Sequence, residues 1–223
     1  MKVPVVREVL KANDQVAAEN RERFERAAVR VLNLMASPGA GKTSLLLATL
    51  DRLPAGIPVG VIEGDVAGSI DADMVAERGV PVVQINTGGN CHLDAPMIRA
   101  ALAHLDLEAL DLLFIENVGN LICPANYRLG QDLDVVVGSV PEGHDKPYKY
   151  PGIFTGADVV VLNKEDLADV FGFDHTEYER GIRMLNPDVP IFWVSCRTGE
   201  GLAAWTGWLV ERLAPAGHVV AGS

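Results

Sequence analysis

The chain has 223 residues, a formal net charge of −11 and 48% hydrophobic residues. This is enough for one α/β core, and the acidic balance argues against nucleic acid as a partner, because phosphate backbones bind basic surfaces. No apolar run reaches the roughly 18 to 20 residues of a membrane span, and no secretory segment opens the chain. Three cysteines fit reduced thiols better than a disulfide framework. We therefore expect a cytoplasmic protein without a membrane partner.

The first predicted element is a charged helix within residues 1–28, which would pack on the rest of the chain. From residue 29 to residue 213, continuous apolar runs alternate with helical stretches, as is typical of strands buried on both faces of a sheet. We predict one α/β domain over 29–213 with a mainly parallel sheet of about seven strands, helices on both faces, and a flexible tail at 214–223. The predicted strands are Val29–Met35, Val59–Glu63, Val82–Ile85, Leu112–Glu116, Val135–Val140, Val159–Leu162 and Ile191–Val194.

A phosphate-binding loop follows the first predicted strand and precedes a helical segment over 43–53, which is the context of a P-loop. Small residues let backbone N–H groups turn inward on phosphate oxygens, and the helix N-terminus adds its dipole. Lys42 would reach the β- and γ-phosphates, and the Thr43 hydroxyl would bind Mg²⁺. Ala36 replaces the first Gly of the pattern, which is tolerable at negative φ. The predicted phosphate-binding residues are Ser37, Pro38, Gly39, Ala40, Gly41, Lys42, Thr43 and Ser44.

A second motif, after the sixth predicted strand, indicates which base is bound. Asn163, Lys164 and Asp166 form the Asn-Lys-x-Asp pattern of GTPases. The Asp166 carboxylate can accept hydrogen bonds from N1–H and the exocyclic amine of guanine, whereas adenine offers no such pair. We expect ATP to be rejected by perhaps ~10⁴-fold. The loop Ser195-Cys196-Arg197, after the last predicted strand, resembles the Ser-Ala-Lys loop that closes over guanine.

Two carboxylates, Asp65 and Glu116, end predicted strands at the sheet edge that carries the P-loop. We predict that they orient Mg²⁺ and the attacking water, because a charged residue that ends an apolar strand needs a partner. Gly119 would offer its N–H to the γ-phosphate. Asp71 and Asp73 are equally well explained as mobile switch residues or as first-turn acids of a helix. No water-positioning glutamine or arginine finger is apparent, so we expect slow intrinsic hydrolysis.

A third group of residues has the chemistry of a transition-metal site. Cys91 and His92 are adjacent, and Cys123 follows the strand that ends at Glu116. Thiolate and imidazole select Zn²⁺, Ni²⁺ or Cu rather than Mg²⁺. Three ligands leave a tetrahedron incomplete, and a second protomer at a twofold interface could complete it. A cysteine is also a common small core residue, so the residues alone leave both interpretations open.

The segment 116–124, with the sequence ENVGNLICP, is more specific than any P-loop. With the motifs at 38–43, 63–65, 90–92, 141–143, 146–147 and 163–166, it resembles the HypB family of hydrogenase nickel-incorporation GTPases over nearly the whole chain. This resemblance implies a GTPase of the class that includes the urease accessory GTPase and the methylmalonyl-CoA mutase chaperone. It also implies that Cys91, His92 and Cys123 form a nickel or zinc site at a dimer interface.

As ligands and partners, the resemblance implies GTP or GDP, Mg²⁺, Ni²⁺ or Zn²⁺, a GTP-dependent homodimer, hydrogenase maturation proteins and the hydrogenase large subunit. Lys146 and Lys149 are candidates for contact with the partner protomer. The sequence has neither the Cys-rich N-terminal motif nor the His-rich stretch of some family members. Three alternatives remain, namely a metal-free GTP-switched scaffold, a urease-type accessory GTPase and a P-loop kinase of a small molecule.

Overall fold

The computed structural model describes residues 7–66, 68 and 70–213, which form seven strands and nine α-helices. Both ends of every strand lie within two residues of the prediction. The first six residues of the predicted N-terminal extension and the predicted flexible tail lie outside the described residues. The strands are β1 (Arg30–Ala36), β2 (Val59–Asp65), β3 (Val82–Asn86), β4 (Leu112–Glu116), β5 (Leu133–Ser139), β6 (Val159–Asn163) and β7 (Ile191–Trp193).

All seven strands pair in parallel, in the order β3-β2-β4-β1-β5-β6-β7. This confirms the predicted parallel sheet. The central strand β1 lies between β4 and β5, and its side chains from Val31 to Ala36 are buried. The chain runs from β1 to β2 and β3 on one side, returns through β4, and continues through β5, β6 and β7 on the other side. Such a reversal of strand order opens a crevice at the carboxyl ends of the strands, where ligands of open α/β sheets bind.

Helices cover both faces of the sheet, as predicted. Leu32 and Leu34 of β1 pack with α2 and α9 on one face. Val31 packs with α1 and α4 on the other face, where Met35 packs with α6 and α8. Within the described residues, no helix has both the length and the apolar character to cross a bilayer. The helices are α1 (Arg7–Ala27), α2 (Lys42–Leu50), α3 (Ile70–Ala76), α4 (Ala95–Ala101), α5 (Lys146–Lys149), α6 (Pro151–Thr155), α7 (Ala168–Phe171), α8 (His175–Leu185) and α9 (Leu202–Leu213).

Helix α1 is joined to the domain by buried asparagines as well as by apolar packing. Phe24 is 1% exposed and belongs to the same core cluster as α4. Asn13 Oδ1 accepts from the backbone N–H of Ala95 at 2.9 Å. The amide of Asn20 donates to the carbonyl oxygens of Ala95 and Leu129 at 3.0 and 3.1 Å. Helix α1 therefore fixes the start of α4, which directly follows the predicted Cys-His loop.

The turn before α9 depends on Gly201, whose φ is +71° and where an added Cβ would lie 1.9 Å from the carbonyl oxygen of Trp193. We expect Gly201→Ala to lower the free energy of unfolding by at least ~2 kcal/mol, because the left-handed backbone and the clash are both unfavourable. Gly207→Ala is the matched control, since Gly207 is exposed in α9 with open space around it. This variant should be about 0.5–1 kcal/mol more stable than the parent. Equal unfolding free energies of the two variants in urea would contradict the prediction.

Candidate functional site

The predicted P-loop connects β1 to α2 at the carboxyl edge of the sheet. Ala36, where the P-loop pattern has Gly, is the last residue of β1 and pairs with Val137 of β5. It is not among the described non-glycine residues with positive φ, so alanine is compatible with its backbone. Gly41 has a left-handed backbone and directly precedes α2, whose first residue is Lys42. The loop therefore delivers Lys42 and Thr43 at a helix N-terminus, where backbone N–H groups lack intrahelical partners.

Residues of the P-loop line a cleft of about 370 Å³ together with carboxylates from elsewhere in the chain. Its lining includes Lys42, Thr43, Asp71, Glu116 and Lys164. A larger hollow of about 640 Å³ lies at the opposite edge of the sheet. The larger hollow is lined mainly by aliphatic, proline and glycine residues, so the smaller cleft is the better candidate for chemistry.

The Asn-Lys-x-Asp segment is bonded directly to the P-loop. Asn163, the last residue of β6, donates from Nδ2 to the carbonyl oxygen of Ala40 at 3.2 Å. Lys164 donates from Nζ to the carbonyl oxygen of Gly39 at 2.7 Å. Lys164 also has a φ of +63°, which is uncommon for a residue other than glycine. The predicted phosphate-binding and base-binding segments therefore form one connected surface.

The predicted base-binding carboxylate, Asp166, is held by the loop that follows β7. Ser195 Oγ donates to Asp166 Oδ1, and Arg197 Nε donates to Asp166 Oδ2 at 2.7 Å. These two contacts, the hydrogen bond from Ser195 first, hold the pKa of Asp166 below its usual range. The backbone N–H of Cys196 donates to Asn163 Oδ1 at 3.2 Å, which joins the two loops. Asp166 is therefore an ionised acceptor in a fixed position, although the ion pair with Arg197 was not anticipated from the sequence.

Two buried glutamates lie side by side beneath the P-loop. Glu63 of β2 and Glu116 of β4 are register partners on adjacent parallel strands, and each is 3% exposed. Thr43 Oγ1 donates to Glu116 Oε1 at 2.8 Å. Carboxylate oxygens of Glu63, Asp71 and Glu116 all lie within 4.8 Å of one another. One oxygen of each glutamate, Oε2, is buried without a hydrogen-bond partner.

The proximity of these carboxyls shifts their ionisation. Burial, followed by the charge of Glu116, raises the pKa of Glu63 to about 8. Burial also raises the pKa of Glu116 to about 7, against the opposing effects of the Lys42 charge and the Thr43 hydrogen bond. Unpartnered carboxylate oxygens are the ligands that Mg²⁺ prefers, so this cluster fits a divalent cation.

Asp65, one of the two predicted Mg²⁺ carboxylates, is not part of this cluster. Its Oδ1 accepts from the N–H of Val66 at 2.6 Å, and its Oδ2 accepts from the N–H of Gly68 at 2.8 Å. Both oxygens therefore close a turn in the backbone. Glu63, two residues earlier in the same strand, is the β2 carboxylate that joins the cluster, and a role of Asp65 in Mg²⁺ binding stays a prediction. Asp71, in the first turn of α3, joins the cluster, which favours the switch interpretation of this residue.

Gly119 approaches the P-loop closely, as a phosphate-sensing residue would require. A Cβ at this position would lie 3.0 Å from both Cα and N of Pro38. The loop that follows Glu116 therefore passes directly over the phosphate-binding segment. A side chain here would push the two loops apart, so glycine is needed for the contact.

The predicted Cys-His cluster is assembled by two loops at the same sheet edge. Cys91 Sγ lies 2.9 Å from Cys123 Sγ and 3.8 Å from His92 Nδ1, and all three cysteines of the chain are free thiols. The pKa of Cys123 is raised, first by its hydrogen bond with Cys91. Burial lowers the pKa of His92, which favours the neutral imidazole that binds metal. Tyr127 stacks on the His92 ring at a centroid distance of 3.9 Å.

The two lysines predicted to contact a partner protomer are paired within their own chain. Lys146 lies 3.3 Å from Glu142, and Lys149 forms an ion pair with Asp145. Both pairs have i,i+4 spacing near α5. The described residues thus give each ammonium group an intramolecular partner, and their part in a dimer stays a prediction.

Comparison with known proteins decides the family. The family model described as CobW/HypB/UreG, nucleotide-binding domain, matches residues 30–193. The hydrogenase maturation factor HypB of Azotobacter vinelandii is 50% identical over 208 residues, which are 93% of this chain and 68% of the relative. The chain belongs to the HypB family. The hydrogenase/urease maturation factor HypB of Helicobacter pylori is 41% identical, over 94% of this chain and 88% of the relative.

The fold of this HypB family member agrees with solved structures. The crystal structure of HypB from Helicobacter pylori in complex with nickel has a TM-score of 0.88 and 39% sequence identity, and covers 95% of this chain and 100% of that chain. The HypB family therefore accounts for both the seven-stranded parallel sheet and the P-loop nucleotide-binding domain. The resemblance inferred from the segment 116–124 is confirmed.

The raised pKa values of Glu63 and Glu116 predict a pH-dependent stability for this HypB family member without metal or nucleotide. Between the ordinary value of 4.5 and about 8, the folded state binds more protons at Glu63 than the unfolded chain does. This contribution to stability is complete below the ordinary value and is lost as pH rises through about 8, so the free energy of unfolding falls across this window.

Glu63→Gln should reduce the fall of the free energy of unfolding with rising pH, because the amide stays neutral at all pH values. Urea unfolding in chelator, from about pH 5 to about pH 9, measures the effect. Glu108→Gln, at an exposed position, is the control and should keep the slope of the parent. A Glu63→Gln slope equal to that of the parent would show that Glu63 is ionised in the folded protein.

Proposed function

We propose that this chain is a GTP-binding and GTP-hydrolysing metallochaperone that delivers nickel during [NiFe]-hydrogenase maturation. Family membership places it among hydrogenase maturation factors with a nucleotide-binding domain. The observation that carries the finer proposal is the Cys91, His92 and Cys123 cluster, whose ligand atoms lie within 4.8 Å of one another. Cys123 lies on the same loop as Gly119, which contacts the P-loop. A metal site and a phosphate site that share one loop suit a protein that releases cargo according to its nucleotide state.

The geometry supports GTP as the nucleotide. Asp166 is held as a carboxylate by Ser195 and Arg197, and a carboxylate offers only acceptors. Guanine presents two adjacent donors and adenine does not, so only guanine could replace the contacts that Ser195 and Arg197 make with this carboxylate. Lys164 would lie along the base, with its Nζ on the carbonyl oxygen of Gly39.

Among the carboxylates, we propose that Glu63, Asp71 and Glu116 hold Mg²⁺ with the Thr43 hydroxyl. Their oxygens are close together, and two of them are buried without partners. When bound, Mg²⁺ would supply charge neutralisation on the transferring phosphoryl group. Asp65 would hold the backbone that leads to α3 in place. Lys42 would contact the phosphate oxygens, and the Gly119 N–H would sense the γ-phosphate.

Intrinsic hydrolysis should be slow. The charged side chains that line the cleft are carboxylates and lysines, and Arg197 lies at the base-binding loop rather than at the phosphates. A GTPase without an arginine at the transferring phosphate lacks a group worth roughly 10³ to 10⁵ in rate. The chain would then act as a switch, with the GTP-bound form as a cytoplasmic homodimer that engages maturation proteins and the hydrogenase large subunit.

Nickel enters this proposal as cargo rather than as a resident cofactor. Neutral His92 and two thiols are ligands that accept Ni²⁺ or Zn²⁺, and both thiols must lose protons on binding. Cys91 is exposed, while His92 and Cys123 are half-buried. Such a site is accessible for loading and transfer, and a second protomer could complete its coordination.

The test is isothermal titration of Ni²⁺ and Zn²⁺ into metal-free protein that holds GDP or a non-hydrolysable GTP analogue, with light scattering to follow dimerisation. We expect metal binding whose affinity depends on the nucleotide. GTP-analogue binding without metal binding would favour the metal-free scaffold. ATP preference would favour the small-molecule kinase.

A urease client is a second candidate, because the relative from Helicobacter pylori is named a hydrogenase/urease maturation factor. The site chemistry is the same for either client, so the distinction lies in the partner. Activation of apo-hydrogenase and of apo-urease by the same nickel-loaded protein separates the two.

Asp166→Asn should change the nucleotide preference. The amide presents one donor and one acceptor, which match the C2 carbonyl and N1–H of xanthine rather than the two donors of guanine. We expect GTP affinity to fall by roughly 10- to 100-fold, the loss of one charge-assisted hydrogen bond, and XTP affinity to rise. Fluorescence titration with labelled nucleotides measures both. Asp169→Asn, at an exposed position in α7, is the control. Unchanged GTP binding by Asp166→Asn would remove Asp166 from the base site.

Cys123→Ala should weaken Ni²⁺ binding by at least about 100-fold, because a ligand contributes more to affinity than the outer-shell partners that cost 10- to 100-fold. Competition with a chromophoric chelator measures the affinity. Cys196→Ala is the control, since this thiol lies outside the cluster. An equal loss of Ni²⁺ affinity in the two variants would show that nickel binds to thiols in general and not at this cluster.

A further inference from the structure

Asn117 is a buried polar residue between the two candidate sites. It directly follows Glu116 at the end of β4 and is fully buried. Its backbone N–H donates to the carbonyl oxygen of Leu34 in β1 at 3.0 Å. The backbone therefore extends the sheet by one residue, and the side chain starts from a rigid position.

The side-chain oxygen of Asn117 accepts two backbone hydrogen bonds from different loops. It accepts from the N–H of Leu93 at 3.0 Å and from the N–H of Val118 at 3.0 Å. Leu93 directly follows the Cys91-His92 pair, and Val118 directly precedes Gly119. One oxygen atom is thus shared between the metal loop and the phosphate-sensing loop.

The orientation of this amide is determined by its other end. Asn117 Nδ2 donates to Asn33 Oδ1 at 3.1 Å, and Asn33 Nδ2 donates to Asp134 Oδ1 at 2.9 Å. Asn33 is also fully buried, in the middle of β1. The Asn117 amide nitrogen is therefore used in the bond to Asn33, and the amide oxygen faces the two loops. Both loop partners are N–H donors, so only the oxygen can accept from them.

Both loops also contact segments that lead to residues of the nucleotide cleft. The Leu93 side chain packs directly against Gly64, the residue between Glu63 and Asp65 in β2. Gly119, next to Val118, contacts Pro38 of the P-loop. A shift of either loop would therefore change the geometry of the shared oxygen and the bond to the other loop.

We propose that Asn117 is the positioning residue that couples metal affinity to nucleotide state. The inference rests on the proposed function, since it assigns a coupling route between the proposed metal and phosphate sites. When Gly119 moves with the γ-phosphate, the Val118 hydrogen bond changes, and Asn117 transmits that change to the N–H of Leu93 and so to His92. Asn117 touches neither the metal nor the nucleotide.

The test measures Ni²⁺ affinity by chelator competition in the full chain, once with GDP and once with a non-hydrolysable GTP analogue. In the parent we expect the two affinities to differ by roughly 5- to 150-fold, the usual range of coupling between sites. In Asn117→Ala, each ligand should still bind, but the ratio of the two nickel affinities should fall to within about 2-fold of unity.

Asn13→Ala is the matched control, because Asn13 is a buried asparagine that accepts from the N–H of Ala95 without contact to Val118. It should retain the parental ratio. If Asn117→Ala keeps the parental ratio of its two nickel affinities, this inference is overturned and the proposed function stays intact. Failure of the parent to bind nickel overturns both, and equal nickel affinities of the parent with the two nucleotides overturn this inference together with the nucleotide-dependent release in the proposed function.

A second measurement applies if Asn117→Ala does not fold. Amide hydrogen exchange of Leu93 in the parent protein should change between the GDP and GTP-analogue forms, because its N–H has Asn117 as acceptor. An exchange rate that is the same in both forms contradicts the proposal.

Discussion

The register between β2 and β4 is the constraint on which the site depends. It places Glu63 beside Glu116 in the interior, where two carboxylates cannot both be ionised without a cation. Burial and the Glu116 charge raise the pKa of Glu63 to about 8, so the Glu63 carboxyl is mainly protonated at neutral pH, while burial raises the pKa of Glu116 to about 7. A divalent cation could replace those protons, which is why we propose that Mg²⁺ binds beneath the P-loop.

The same parallel geometry explains why two different sites lie at one edge. Every strand delivers its following loop to the carboxyl edge, so a phosphate loop, a base loop and a Cys-His cluster share one surface. The P-loop is bonded to the predicted base-binding segment through Asn163 and contacts the loop of Gly119 and Cys123 through Pro38. The phosphate, base and Cys-His segments therefore lie close together because parallel strands end at one edge. The coupling that we propose between them needs only a few hydrogen bonds.

Most of the fold could be predicted from the sequence, because buried parallel strands are continuous apolar runs with recognisable ends. Loop motifs whose residues have a fixed chemical role could also be recognised in the sequence. The segment 116–124 is such a motif, and it identified the family. That Glu63 rather than Asp65 lies beside Glu116 was not accessible, since this depends on the register between β2 and β4 and on a local turn that uses Asp65. The ion pair between Arg197 and Asp166 joins residues 31 positions apart, and no periodicity indicates such a contact.

That ion pair has a consequence for how a base can leave the pocket. If Asp166 binds the base as we propose, departure of guanine would not leave this carboxylate unpaired, because the Arg197 guanidinium already contacts Oδ2 and the Ser195 hydroxyl contacts Oδ1. Arg197 is largely exposed and can move with little packing loss. In the proposed base site, Arg197 and Ser195 would therefore take the place of the base and lower the cost of an empty pocket.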